Sequence, residues 1–180
     1  MLTTYYYIYP YPNRNSLPNY LRCSEAIFKM FDGIVKTTPG YAGGTTPNPT
    51  YKQVCSGTTG HAEVIRVEYD PVIAPLEKIL DIFFKMHDPT SLNRQDSDVG
   101  SQYRSIILYT SNKQKETVDK FIEKIRKNYN KPIVTEVKPL DTFYPSEDYH
   151  KDYYKNNPLQ PYCILVIRPK VAKIKKEFRL

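Results

Sequence analysis

Two polar runs hold most of the residues in this chain that could do chemistry. They are Pro49–Glu63, reading Pro-Thr-Tyr-Lys-Gln-Val-Cys-Ser-Gly-Thr-Thr-Gly-His-Ala-Glu, and His87–Ser105, reading His-Asp-Pro-Thr-Ser-Leu-Asn-Arg-Gln-Asp-Ser-Asp-Val-Gly-Ser-Gln-Tyr-Arg-Ser. Neither has the spacing of a helix or a strand, and both are dense in hydrogen-bonding groups. Packing does not ask for such runs, whereas a polar site built on loops does. Glu63 follows a Gly-His-Ala turn and begins an alternating segment. A carboxyl at the mouth of a core is partly desolvated, which raises its pKa and keeps a proton available for acid catalysis; the other reading is an exposed strand-end carboxylate. Tyrosines in the runs, Tyr51 and Tyr103, offer phenolic donors at neutral pH, although with 17 tyrosines in the chain a packing role stays open for each. The cysteines Cys23, Cys55 and Cys163 are odd in number, which argues against a disulfide scaffold and leaves thiols that are either inert core residues or reactive ones. Cys55, His61 and His87 lack the spacing of a four-ligand set, so no metal site is expected, and His87 reads as a residue that orders its loop. Asp96 and Asp98 read as turn residues.

The elements that must position these residues follow from periodicity. Ser24–Phe31 reads as a helix with Ile27, Met30 and Phe31 on one face and Gly33 as its stop. Gly40–Gly44 reads as a glycine-rich turn. Glu63, Ile65, Val67 and Tyr69 share one face of a strand, and Pro75 opens a helix with Leu76, Ile79, Leu80 and Phe83 as its apolar stripe. Arg104–Tyr109 is a second strand. Ser111 and Gln114 make a capping box for a helix with Val118, Phe121, Ile122 and Ile125 inward. Ile133–Val137 and Tyr162–Ile167 read as a third and a fourth strand, the latter making Cys163 a strand cysteine. The order of elements predicts an α/β (α+β) two-layer sandwich, a mixed sheet with flanking helices.

Residues 1–22 stand apart as an atypical N-terminal arm ahead of a single domain over 23–180. Tyr5, Tyr6, Tyr7, Tyr9 and Tyr11 are followed by Pro10, Pro12 and Pro18, which forbid a regular helix. The segment is either a short strand around Thr4–Tyr9 or a loosely docked arm. No apolar run could span a bilayer and no secretory signal is visible, so a cytoplasmic protein is expected. The net charge of +7 is concentrated in Arg168–Arg179, where Val171, Ile174 and Phe178 recur at helical spacing. That pattern is the solvated face of an amphipathic helix; nucleic-acid binding would need base-stacking aromatics on the same face.

The two runs together closely resemble the type A peptide methionine sulfoxide reductases, the MsrA family, which reduce the S epimer of methionine sulfoxide. The likeness extends from about Cys23 to the C-terminus and takes in Gly40–Gly44, Phe143-Tyr144-Pro145, Glu147-Asp148-Tyr149-His150 and Asn157-Pro158. It implies a fold related to the ferredoxin-like arrangement and an oxidoreductase of protein repair. The expected substrates are oxidised proteins or free methionine sulfoxide. The protein is expected to bind no cofactor, to take thioredoxin or dithiothreitol as reductant, and to be a monomer. Sulfoxide reduction needs a thiolate to attack sulfur, an acid to protonate the departing oxygen and donors to hold that oxygen. By the resemblance Glu63 is the acid, and Tyr51, Asp98 and Tyr103 bind substrate.

The family nucleophile lies in a Gly-Cys-Phe-Trp run, which is missing here; the chain has no tryptophan. Counting back from Glu25 places Tyr20 at the nucleophile position, with Asn19 for the glycine and Leu21 and Arg22 for the Phe and Trp that wall the methyl pocket. A phenol with a pKa of about 10 cannot replace a thiolate. Cys23, one turn on, is either a substitute nucleophile whose pKa a helix N-terminus depresses or an ordinary small residue beside the site. The alternative is a methionine-sulfoxide-binding module that does not turn over.

Overall fold

The computed structural model describes residues 3–8, 20–95 and 98–180, with side chains from Arg22 onward. In chain order its elements begin with β1 (Thr3–Ile8), α1 (Tyr20–Phe28), β2 (Ile34–Ala42), α2 (Tyr51–Cys55), β3 (Ala62–Tyr69) and α3 (Leu76–Met86). Then come β4 (Arg94–Gln95), β5 (Asp98–Val99), β6 (Ile106–Tyr109), α4 (Asn112–Ile125), β7 (Glu136–Pro139), β8 (Phe143–Pro145), α5 (Tyr153–Asn156) and α6 (Arg168–Phe178). A 6-stranded sheet runs in the order β7-β6-β1-β3-β2-β8; every pairing is antiparallel except β6 with β7, and β4 and β5 form a separate ribbon. The sheet is therefore mixed, as expected. Residues 3–8 occupy its centre, with Thr3 opposite Tyr69 and Ile8 opposite Val64, so this segment is an integral strand and not a loosely docked arm.

Alternation along β3 decides which face is covered. Ile65, Val67 and Tyr69 point into the main core, where they meet Cys23, Ile27 and Phe28 of α1, Ile79, Leu80 and Phe83 of α3, Val118 of α4, and Val171 and Ile174 of α6. Ala62 and Val64 point the other way into a smaller cluster with Ala42, Ile106 and Leu108. Helices thus cover one face, giving two layers. The α3 stripe is wider than the sequence predicts, since Ile82, Phe84 and Met86 are buried too. α4 explains part of this: Phe84 stacks on Phe121 with ring centroids 5.8 Å apart. α6 forms with its apolar residues inward, and Phe178 closes edge-on against Phe31 at 4.9 Å. Among the described residues no helix is long and apolar enough to cross a membrane.

Four expectations need correction. Tyr162–Ile167 is not a strand: Cys163–Ile167 is a π-helical turn that runs directly into α6. Its β-branched residues suggest a strand, but Cys163, Ile167, Val171 and Ile174 are the buried ones, a helical period that packing enforces over local propensity. The third strand begins later than expected, at Glu136, because the stretch before it is drawn to the second polar run, Val134 N–H donating to Pro89 O at 2.8 Å. Gly40 belongs to β2, where β8 lies so close that a side chain would strike Phe143 and the Tyr144 carbonyl; the turn is confined to Gly43 and Gly44. The Ser111 cap forms, its Oγ accepting from Gln114 N–H at 3.3 Å, but the Gln114 side chain reaches back to Thr110 N–H at 2.6 Å and not to Ser111.

Candidate active site

Both polar runs fold into short regular pieces that the sequence does not announce. Thr50 caps α2 through a full capping box, its Oγ1 accepting from Gln53 N–H at 3.4 Å while Gln53 Oε1 accepts from Thr50 N–H at 2.9 Å. Tyr51 and Cys55 stand one turn apart on this helix, and the Tyr51 phenol acts to lower the Cys55 pKa. The second run makes the β4–β5 ribbon and a 3₁₀ turn, Ser101–Tyr103. Gln102 Nε2 donates to Cys55 O at 3.2 Å, which ties that turn to the end of α2. Arg104 clamps the arrangement: its guanidinium donates to Ser101 O at 2.8 Å, Gly60 O at 3.1 Å and Gly43 O at 3.2 Å. His61 locks the same corner, Nδ1 accepting from Gly44 N–H at 3.1 Å and Nε2 donating to Thr46 O at 2.7 Å. An added Cβ at Gly44 would collide with the Gly60–His61 backbone, so only glycine permits this approach.

At the head of β3 sits Glu63, on the helix-covered face and opposite Tyr41 of β2. It is 0% exposed, and neither carboxylate oxygen has a hydrogen-bond partner among the described residues. Burial pushes its pKa well up; the charges of Asp98 and Glu147 push the same way, and only the Arg22 guanidinium opposes them. An environment of that kind favours the protonated carboxyl. Glu147 is the contrasting acid. Burial would raise it, but its own backbone N–H, the Tyr41 hydroxyl (2.8 Å) and Tyr51 N–H (3.1 Å) outweigh that and hold it below the ordinary carboxylate range. The phenols of Tyr41 and Tyr103 are both raised, first by burial and then, for Tyr41, by its bond to Glu147 and by Glu63, and for Tyr103 by Glu63, so they remain donors. Arg22, 2% exposed, lies over the Tyr153 ring at 3.2 Å, bringing one buried cation within electrostatic reach of Glu63.

A family model described as "Peptide methionine sulfoxide reductase" matches residues 21–179. The chain belongs to the peptide methionine sulfoxide reductase family. Peptide methionine sulfoxide reductase MsrA of Nautilia profundicola is 54% identical over 86% of this chain and 88% of its own length. MsrA of Saccharolobus solfataricus is 51% identical over 87% of this chain and 88% of its own. Among solved structures, methionine sulfoxide reductase A of Corynebacterium diphtheriae superposes with a TM-score of 0.79 at 32% identity, covering 88% of this chain and 76% of that one.

Of the residues singled out in the sequence, Glu63, Asp98 and Tyr103 are mutually within electrostatic reach, and all three are buried. Tyr51 joins them through its backbone N–H, which donates to Glu147 at 3.1 Å, and the Glu147 charge acts on Glu63. Asp96 lies outside the described residues, as does Asn19. Tyr20 is the first residue of α1. Cys23 departs from expectation. It is 2% exposed in the main apolar core, and burial pushes its thiol up to about 12. The depressed pKa expected of a helix N-terminus is not realised, because the desolvation of a side chain turned into the core exceeds what the helix end supplies. Cys163 is likewise buried, on the helix and not on a strand. His87 has Nδ1 on Phe83 O at 2.6 Å and Nε2 on Ser105 Oγ at 2.8 Å, and burial lowers its pKa to about 4. Sequence reasoning assigned no role to Tyr41 or Glu147. Tyr41 could be found from its cross-strand register with Glu63, whereas Glu147 comes from a distant segment and carries no local signal.

Proposed function

We propose that this protein is a peptide-methionine (S)-S-oxide reductase, acting on methionine-S-sulfoxide in proteins and as the free amino acid. Glu63 hands its proton to the sulfoxide oxygen, Tyr51 and Tyr103 hydrogen-bond that oxygen as charge gathers on it, and Asp98 completes the substrate-binding wall. Reducing equivalents come from thioredoxin, with dithiothreitol as its replacement in vitro. The single observation that carries this reading is Glu63 itself: a fully buried carboxyl whose two oxygens have no hydrogen-bond partner among the described residues, its pKa pushed well up by burial beside phenols that stay protonated. Leaving a buried carboxyl unsatisfied costs stability, and a substrate oxygen that accepts a hydrogen bond from Glu63 offsets that cost. Turnover of the two epimers of dabsyl-methionine sulfoxide with dithiothreitol tests the reading. Reduction confined to the S epimer and lost in Glu63→Ala supports it; equal turnover of both epimers, or full activity in Glu63→Ala, contradicts it.

A second reading is a module that binds methionine sulfoxide without reducing it. It is favoured by Tyr20 at the position where the family resemblance expects the nucleophile, together with Cys23 in the core. Saturable binding of a methyl-sulfoxide peptide by a protein that forms no methionine, even with excess dithiothreitol, would select it.

A further inference from the structure

The reductase reading needs a thiol, and Cys55 is the cysteine that the fold brings to the acid. Among the three cysteines, Cys23 lies in the main apolar core and Cys163 is buried at the root of α6, facing Arg22 and Arg168. Cys55 is half-buried at the last position of α2. The Glu63 charge is felt at its sulfur, and Tyr103 and Tyr149 feel both Cys55 and Glu63. Its backbone is pinned by Gln102, the neighbour of Tyr103, and the start of its helix by Glu147, which accepts from Tyr51 N–H at 3.1 Å. One partly open sulfur, one buried acid without a hydrogen-bond partner among the described residues, and two phenols thus share one corner of the molecule.

We propose that Cys55 is the attacking thiol of this chain. Resting on the reductase reading, the step is as follows. The Cys55 sulfur attacks the sulfoxide sulfur, and the Glu63 proton moves to the sulfoxide oxygen. The oxygen passes to Cys55, and the thiol proton restores Glu63. In sum, thiol and sulfoxide become Cys55 sulfenic acid and methionine; the sulfoxide sulfur gains two electrons and the cysteine sulfur loses two. A dithiol reductant then closes the cycle. Its first thiol displaces water from the sulfenic acid to form a mixed disulfide, and its second thiol releases Cys55 and forms the reductant's own disulfide.

The environment sets the pace. Burial and the Glu63 and Glu147 charges hold the Cys55 thiol up at about 12 against the lowering effect of Tyr51, so thiolate is scarce at neutral pH. The rate of sulfenic acid formation rises about tenfold per pH unit while Glu63 keeps its proton, and levels off once that proton is lost, because thiolate then grows only as fast as the acid form shrinks.

The test is a single-turnover reaction of methionine-S-sulfoxide with the full chain in the absence of reductant, followed by dimedone labelling and peptide mass analysis. Wild type and Cys23→Ser should form methionine and carry the adduct on the peptide containing Cys55. Cys55→Ser and Cys55→Ala, checked for unchanged circular dichroism and melting temperature, should lose at least about a hundredfold in methionine formed. Undiminished methionine formation in both Cys55 variants, or an adduct on Cys23 or Cys163, overturns the assignment of Cys55 and leaves the reductase reading standing. No methionine from wild type under these conditions or with excess dithiothreitol overturns both.

Discussion

Glu25 and Glu63 are buried to the same degree, 2% and 0% exposed, yet they do opposite things. Glu25 spends both oxygens: Oε1 takes the Lys29 ammonium at 2.9 Å and Oε2 takes Asp152 N–H at 2.8 Å, with Lys29 also bound to Asp152 at 2.7 Å. Burial raises its pKa and Lys29 pulls it back. It pins α1 to the loop before α5. Glu63 has the same burial, two like charges nearby and no hydrogen-bond partner among the described residues. What separates a structural carboxylate from a proton reserve is therefore the presence of donors. Burial alone does not distinguish them.

Exchanging the acid for its amide probes that difference most strongly. Glu63→Gln keeps shape and removes the transferable proton; turnover of methionine-S-sulfoxide should fall by about 10²–10⁴-fold, with the melting temperature held or raised. Tyr103→Phe and Tyr51→Phe remove one donor each, and kcat should drop by about 10–10²-fold per change, smaller than the loss at Glu63 because the remaining phenol still holds the oxygen. On the structural side, Glu25→Ala leaves the part-buried Asp152 N–H without its acceptor and should cost about 1 kcal/mol in urea unfolding. Activity per folded molecule should be retained, and a loss of activity without a loss of stability would erase the distinction between the two glutamates. The smallest effect lies in the pH dependence of stability. A carboxyl whose folded pKa is raised contributes stability below its unfolded pKa and loses it as pH climbs through the folded value. Wild type should therefore lose stability relative to Glu63→Gln from the ordinary carboxylate range upward, and the two should converge in acid.

Much of this could be read before any coordinates. The alternation of Glu63, Ile65, Val67 and Tyr69 places the acid on the core face of a strand, and the structure puts it there. α3 and α6 follow their apolar periods. The run Cys163–Ile167 misleads because β-branched composition speaks for a strand, whereas its contacts with α1 and the core demand a helix. Within the candidate site, local sequence gives Glu63 its strand and its face, but neither its full burial nor its company. Glu147 binds Tyr41 and Tyr51 across 106 and 96 residues, separations that no motif spacing encodes. Cys23 fails for a related reason: proximity to a helix start is visible in one dimension, and the direction of its side chain into the core is not.

The central claim is that the Glu63 carboxyl keeps its proton at neutral pH. Carboxyl-carbon NMR of glutamate-labelled protein across a pH titration, with Glu63→Gln to assign the signal, measures this directly. One glutamate resonance should stay at its protonated shift through pH 7 and be absent from the Glu63→Gln spectrum; a Glu63 signal that titrates near the ordinary value of about 4.3 would contradict the account.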